Sequence, residues 1–272
     1  MSIEYYLLLI PLGFAVGTYG TLIGAGGGFI LIPLLLFLYP TEDIRIITSI
    51  SLAVIFCNAF SGTIAYGRMG RIDYKSGLLL AAATVPGAVV GVLTTDFLPR
   101  QLFNILLGVM MVGGALFIFI SPVRRESKKK NPIHAGFSRR IVEKDGSEHR
   151  FAYNLPLGVG VSGITGYISS LFGIGGGIIH VPLLSRALHF PVHVATATSH
   201  FVLAIMALTA TIVNIAGGEF QHGFWRTVCL SVGVLLGAQV GARLSNKIKG
   251  PWIIRALALA LAIVGVRLII TV

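Results

Sequence analysis

Two stretches of the chain nearly repeat each other: Gly24-Ala-Gly-Gly-Gly-Phe-Ile-Leu-Ile-Pro-Leu-Leu35 and Gly173-Ile-Gly-Gly-Gly-Ile-Ile-His-Val-Pro-Leu-Leu184. Each follows a long apolar run, opens with glycines that tolerate positive φ and close backbone approach, and restarts as a shorter apolar run. Each therefore marks a broken helix. A break leaves N–H groups without intrahelical partners, and in a bilayer such backbone is tolerated only where it is buried in protein or lines a cavity. A pair of breaks points to a binding site. Hydrophobic residues make up 55% of the 272 and charged residues 11%, against roughly 25% charged in a soluble domain, so the bilayer is the setting.

Apolar stretches of spanning length recur along the chain. The first is Tyr5 to Ile23, read as a membrane segment rather than a removed signal because no basic n-region precedes it. Phe29 to Tyr39 is too short to cross alone. Pro40-Thr-Glu-Asp43 gives a turn and an N-cap signal, and the runs Ile44–Tyr66, Ser76–Thr95 and Gln101–Ile120 complete a first membrane repeat over 1–120. Residues 121–154 form a basic, water-exposed connector in which β-prone runs flank Asp145-Gly146, a hairpin signal. The second repeat, 155–272, runs through Leu155–Phe172, Ile178–Leu188, Val192–Ala216, Phe224–Asn246 and Pro251–Thr271.

The glycine motifs align at an offset of 149 residues. At 150, Thr48-Ser49 falls on Thr198-Ser199, and Gly87-Ala-x-x-Gly91 on Gly237-Ala-x-x-Gly241. The Gly-Ala-x-x-Gly pairs are read as packing faces between helices. With the connector in the cytoplasm, the cytoplasmic ends carry all 21 Lys and Arg except Arg45, Arg100, Arg226 and Arg267. That bias suits a bacterial-type inner membrane and puts both termini outside. Five segments per half is an odd number, so the halves are inverted. The expectation is an all-α polytopic membrane protein of about ten segments: two inverted five-segment repeats with glycine-broken half-helices, an architecture typical of secondary transporters. Charge placement explains the net charge of +11 without nucleic acid.

The candidate site follows from what the segments lack. No acid, lysine or arginine lies deep in any of them, so dipoles remain: N–H groups at Gly28 to Ile30 and Gly177 to Ile179, at the positive ends of half-helices, and hydroxyls at Thr48, Ser49, Thr198 and Ser199. Such a set suits an anion. The alternative is that the glycines only permit a tight turn and the hydroxyls bond back to their own helices. No Lys-Ser/Thr follows the glycines, which excludes a P-loop. His180 and His200 lie opposite Leu31 and Ile50, so symmetry does not require them. They are candidates for proton coupling, with neutral packing as the alternative. Asn58, Asn214 and Gln239 read as route-lining or as glue between helices, and Cys57 and Cys229 as small apolar residues.

The doubled Gly-x-Gly-Gly-Gly motif, the proline-bearing runs at Ile32-Pro33-Leu34 and Val181-Pro182-Leu183, Ala195-Thr-Ala-Thr-Ser199, the repeated Gly-Ala-x-x-Gly and the basic mid-chain loop together resemble the TauE/SafE sulfite exporter family over essentially the whole chain. The resemblance implies ATP-independent export of sulfite or a related small sulfur-containing anion. Its motif carries over onto Gly24, Gly26, Gly27, Gly28, Gly173, Gly175, Gly176, Gly177, Thr198 and Ser199, whereas Ile47-Thr48-Ser49 lacks the Ala-x-Ala lead-in. The substrate-binding set is then Gly26, Gly27, Gly28, Phe29, Thr48, Ser49, Gly175, Gly176, Gly177, Ile178, Thr198 and Ser199. No catalytic residue, metal or cofactor is expected, and the partners are the anion and the lipid bilayer. An anion channel of the same fold, or a membrane-embedded sulfur-metabolism enzyme or assembly factor, stands as the alternative.

Overall fold

The computed structural model describes residues 3–120, 136–144, 146–245 and 262–270. The chain runs through α1 (Ile3–Ile23), α2 (Gly28–Leu38), α3 (Ile44–Arg68), α4 (Tyr74–Thr95) and α5 (Arg100–Ile120). An antiparallel hairpin follows, β1 (Phe137–Val142) and β2 (Glu148–Tyr153), pairing Arg139 with Phe151. Then come α6 (Leu155–Phe172), α7 (Gly177–Pro182) continued by a π-turn over Leu183–Ala187, α8 (Val192–Ala216), a 3-10 turn at Glu219–Gly223, α9 (Phe224–Leu244) and α10 over 262–270. Among the described residues, α1, α3, α4, α6, α8 and α9 are long and apolar enough to cross a membrane. The protein is a helical, multi-pass membrane protein. Of the expected last segment, 251–261 and 271 lie outside the described residues.

Short polar residues start the helices where the sequence offers them. Asp43 and Asn154 accept the N–H groups of Arg45 and Leu157, which opens α3 and α6. Asp73 does the same for Ser76 at the head of α4.

Glycine decides the packing. The stripe Gly233, Gly237, Gly241 on α9 faces the Ile10, Phe14 and Thr18 carbonyls of α1 so closely that a Cβ at any of the three would overlap them. On the other side of the molecule Gly87 and Gly91 of α4 lie equally close to the Gly163 and Tyr167 carbonyls of α6. Both Gly-Ala-x-x-Gly motifs are thus helix-to-helix faces. Dispersion contacts between backbones replace the hydrophobic drive that lipid cannot supply.

The pairing is reciprocal. α1 packs on α9 as α6 packs on α4, and the buried spans α3 and α8 lie against each other, α3 also on α9 and α8 also on α4. The contacts correct one detail of the repeat. Thr48 packs on Gly173 as Thr196 packs on Gly24, and Ile55 on Gly175 as Leu203 on Gly26, so α3 and α8 superpose at 148 rather than 150. The 25-residue spans Ile44–Arg68 and Val192–Ala216 give the same offset. The connection into α8 is one residue shorter than that into α3, and the one leaving α8 is two residues longer. Thr48 is therefore the counterpart of Thr196, and Thr198, Ser199 and His200 are the counterparts of Ile50, Ser51 and Leu52.

Candidate functional site

The two breaks are built alike. Gly24, Gly26 and Gly27 in the first, and Gly173 and Gly175 in the second, hold φ between 62° and 84°, the left-handed region that a side chain disfavours. Gly173 ends α6 as a left-handed cap, donating its N–H to Ser169 O. The new helices begin at Gly28 and Gly177. Ile30 and Ile179 already donate to Gly27 O and Gly176 O at 3.0 Å, which removes them from the expected donor set. The N–H groups of Gly28, Phe29, Gly177 and Ile178 stand in the first turns of these helices, where the helix itself offers no carbonyl to accept them.

The breaks also touch. The Gly28 Cα lies against the Ile174 backbone, where a Cβ would come within 2.6 Å of its carbonyl carbon, and Gly177 lies on Gly24 O and Ala25 in the reciprocal contact. Ala25 and Ile174 are buried, and the space between the breaks is filled by backbone. A small cavity, about 10 Å³, lies beside the second break.

Its walls are Thr84 of α4, Thr165 of α6, Gly176, Gly177 and His180 at the second break, and Ser199, Val202, Leu203 and Met206 of α8. Ser199 Oγ and His180 Nδ1 are buried and have no partner among the described residues. His180 Nε2 shares a 3.1 Å hydrogen bond with Ser162 Oγ, and the unpartnered Ser169 Oγ lies 2.6 Å from where a Gly176 Cβ would stand. A buried polar group without a partner costs about 1–3 kcal/mol, so several together mark a place where something else is meant to sit. At the first break Gly27 faces Val16, the counterpart of Thr165, and Leu31 stands where the second half has His180.

The other expected residues go elsewhere. Thr48 donates back to Ile44 O and Arg45 O at 2.9 and 3.0 Å, the self-bonding alternative. Ser49 is buried and unpartnered but does not line the cavity. Thr198 Oγ1 accepts the Asp73 N–H at 3.1 Å. Gly26 and Gly175 pack on Leu203 and Ile55. His200 lies edge-on to Tyr66, ring centres 5.5 Å apart, and against Gly62. Gln239 donates to Ser61 O across to α3, which makes it glue between helices, whereas Asn214 donates to Ala210 O of its own helix. Ser162, Thr165 and Ser169 were missed, although their spacing of three and four puts three hydroxyls on one face of α6, a signal present in the sequence.

The family described as Sulfite exporter TauE/SafE matches residues 9–268. The probable membrane transporter protein YunE of Bacillus subtilis (strain 168) is 28% identical over 270 residues, covering 97% of each chain. The probable membrane transporter protein MJ0441 of Methanocaldococcus jannaschii is 25% identical over 281 residues, again 97% of each, and one from Xylella fastidiosa (strain Temecula1) is 26% identical over 250 residues, 91% of this chain and 88% of that one. No solved structure matches. Broken apolar helices, glycine-faced packing and a match from residue 9 to residue 268 lead to one conclusion: this chain belongs to the TauE/SafE sulfite exporter family of membrane transporters.

Proposed function

We propose that the protein is a secondary transporter that exports sulfite, or a related small sulfur-containing anion, across the cytoplasmic membrane, and that it binds its substrate beside the second glycine break. The observation that carries this reading is the cavity at Gly176, Gly177 and His180. It adjoins the unpartnered hydroxyls of Ser169 and Ser199 and the first-turn amides at the positive end of a half-helix. None of its lining residues is an acid that would repel an anion, and none is a lysine or arginine that would hold one too tightly to release. Hydrogen bonds to a charged acceptor are worth about 1.5–3 kcal/mol each, so three or four donors offset much of the cost of taking an anion out of water.

Gly175, Gly176, Gly177, Ile178 and Ser199 form the binding set in this reading, joined by Thr84, Thr165 and Ser169. Gly26, Gly27, Gly28 and Phe29 support it from the facing break, Thr48 and Thr198 bond to backbone around it, and Ser49 is buried beside them without a partner. Of the two histidines, His180 is the one for proton coupling because it alone lines the cavity. The reciprocal helix pairing supports two five-segment halves, ten segments in all, and Lys/Arg placement supports inverted halves with the connector cytoplasmic and both termini outside. A 10 Å³ cavity holds about one water and no sulfite, so helices must part to admit substrate. That favours alternating access over a continuous pore.

Ligand-induced thermal stabilisation of the purified protein tests the binding step. Sulfite is expected to raise the melting temperature in a saturable way that Ser199→Ala abolishes, with sulfate, thiosulfate and a short sulfonate ranking the class. Equal stabilisation of parent and Ser199→Ala would sink the assignment of the site.

A further inference from the structure

The hairpin is built into the membrane domain at two independent points. Its inward row, Phe137, Arg139 and Ile141 on β1 with His149, Phe151 and Tyr153 on β2, alternates with exposed residues and so faces the helices as a unit. The first anchor is polar. Arg139 forks onto the fully buried carboxylate of Asp73, Nη2 to Oδ1 at 2.6 Å and Nε to Oδ2 at 2.9 Å. Burial pushes that carboxyl up, but hydrogen bonds from Arg139 and Ser76 outweigh it and hold Asp73 below the usual carboxylate range. The turn adds Arg71 to Glu143 at 2.6 Å and the Lys144 N–H to Met69 O at 3.1 Å. The second anchor is apolar. Phe151 and Tyr153 stack on Phe190 at 4.4 and 5.0 Å, in a cluster that includes Leu80 of α4, Leu184, and Val194 and Val202 of α8.

Both anchors lead to the cavity. The Asp73 N–H is bonded to Thr198, whose neighbour Ser199 lines it, and Val202 belongs both to the hairpin's apolar cluster and to the cavity wall. The hairpin therefore joins the head of α4, from the first half, to the head of α8, from the second, beside the site. The other side is closed differently, by side-chain pairs without a hairpin among the described residues: Arg226 of α9 meets Glu42 at 2.5 Å and Arg45 of α3 meets Glu219 at 3.2 Å, while the counterpart of Asp73, Gly223, packs on Ile50.

We infer that the β1–β2 hairpin is a latch: clamped through Arg139–Asp73 and Phe151–Phe190 it holds α4 and α8 together on the connector side of the cavity, and it must release for the anion to pass. A separable strap can set the equilibrium between closed and open forms without touching the substrate. The inference rests on the transport reading for the identity of the site, and the labelling arm of its test does not depend on that reading.

The test uses the full chain in nanodiscs, with Cys57→Ser and Cys229→Ser, and Val202→Cys as reporter. Alkylation of that thiol by a soluble maleimide reads the fraction of time the cavity wall is exposed. Arg139→Gln and Phe151→Ala, which break the two anchors separately, are each expected to speed labelling by about tenfold or more, as a shift in population requires. Labelling of either variant at the parent rate overturns the latch. A second arm replaces the polar anchor by a covalent one. A short bis-maleimide tether between Arg139→Cys and Asp73→Cys, without the reporter, should stop sulfite flux in proteoliposomes, while the untethered pair carries it. Flux through the tethered protein equal to that through the untethered one overturns the latch as well. If tethering leaves flux unchanged while sulfite still protects Val202→Cys from the maleimide, the transport reading stands and the latch falls. Fast labelling of the anchor variants without sulfite protection has the opposite meaning.

Discussion

Replacing Gly28 or Gly177 by alanine probes the contact on which the two breaks meet. At Gly28 the added methyl would stand 2.3 Å from Ile55 Cδ1, a side-chain end that can move, but also 2.5 Å from Ile174 O and 2.6 Å from its carbonyl carbon, where ordinary contact begins at 3.4 Å. The backbones must separate by about 0.9 Å, and no flexible side-chain end can yield in their place. Overpacking of this kind costs about 1–3 kcal/mol, which for a chain of this size corresponds to a fall of roughly 2–10 °C in melting temperature. Gly177→Ala should cost about as much, because it presses on Gly24 O and Ala25 in the reciprocal contact. The double variant should cost less than the sum, since the first substitution already opens the gap that the second requires, and couplings of about 0.5–3 kcal/mol are usual for such neighbours. Gly160→Ala on α6 is the control, with nothing within 4 Å of the added methyl and therefore no loss of stability. Fluorescence-detected size exclusion after heating reads all four proteins. Additive losses, or a Gly28→Ala variant as stable as the Gly160→Ala control, would refute the back-to-back packing of the breaks.

Ser169→Ala removes an unpartnered hydroxyl beside Gly176, so sulfite affinity should fall while the melting temperature of the empty protein stays within a few degrees; an unchanged affinity removes Ser169 from the site. His180→Gln should retain a bond to Ser162 and lose the titration, flattening the pH dependence of flux, whereas His200→Gln should leave that dependence as it is. A cysteine at Lys129 should react with an impermeant maleimide in inside-out vesicles and stay unmodified in intact cells, and the reverse pattern would invert the assigned orientation.

Much of this was legible in the sequence because it is local. A run of glycines between apolar segments has few uses in a bilayer, and both breaks fall at the motif, with α2 and α7 opening at Gly28 and Gly177. The strands likewise lie where β-prone residues flank Gly146, which holds φ at 87° in the turn. The repeat was visible, but its register in α3 and α8 was not. Thr48-Ser49 and Thr198-Ser199 look alike, and only the contacts of Thr48 with Gly173 and of Thr196 with Gly24 reveal the two-residue slip. The site's asymmetry was hidden for a similar reason. Thr165 against Gly176, and Val16 against Gly27, are pairings across 11 residues between separate helices, and single-residue differences at such contacts decide which break keeps a polar cavity. Thr198 is the clearest case. Its motif suggests a ligand, yet its partner is the Asp73 N–H, 125 residues away, and no spacing rule could link the two.

The central claim is that an anion crosses through the cavity at the second break, and flux measured beside a single-residue control tests it most directly. Sulfite efflux from proteoliposomes should be saturable, inhibited by competing sulfur oxyanions, and insensitive to ATP. Ser199→Ala, which removes one donor worth about 1.5–3 kcal/mol to a bound anion, should raise the half-saturating concentration by roughly tenfold to a hundredfold while the protein still elutes as a folded species. Efflux no faster than from protein-free liposomes, or a Ser199→Ala variant that transports like the parent, would contradict the account.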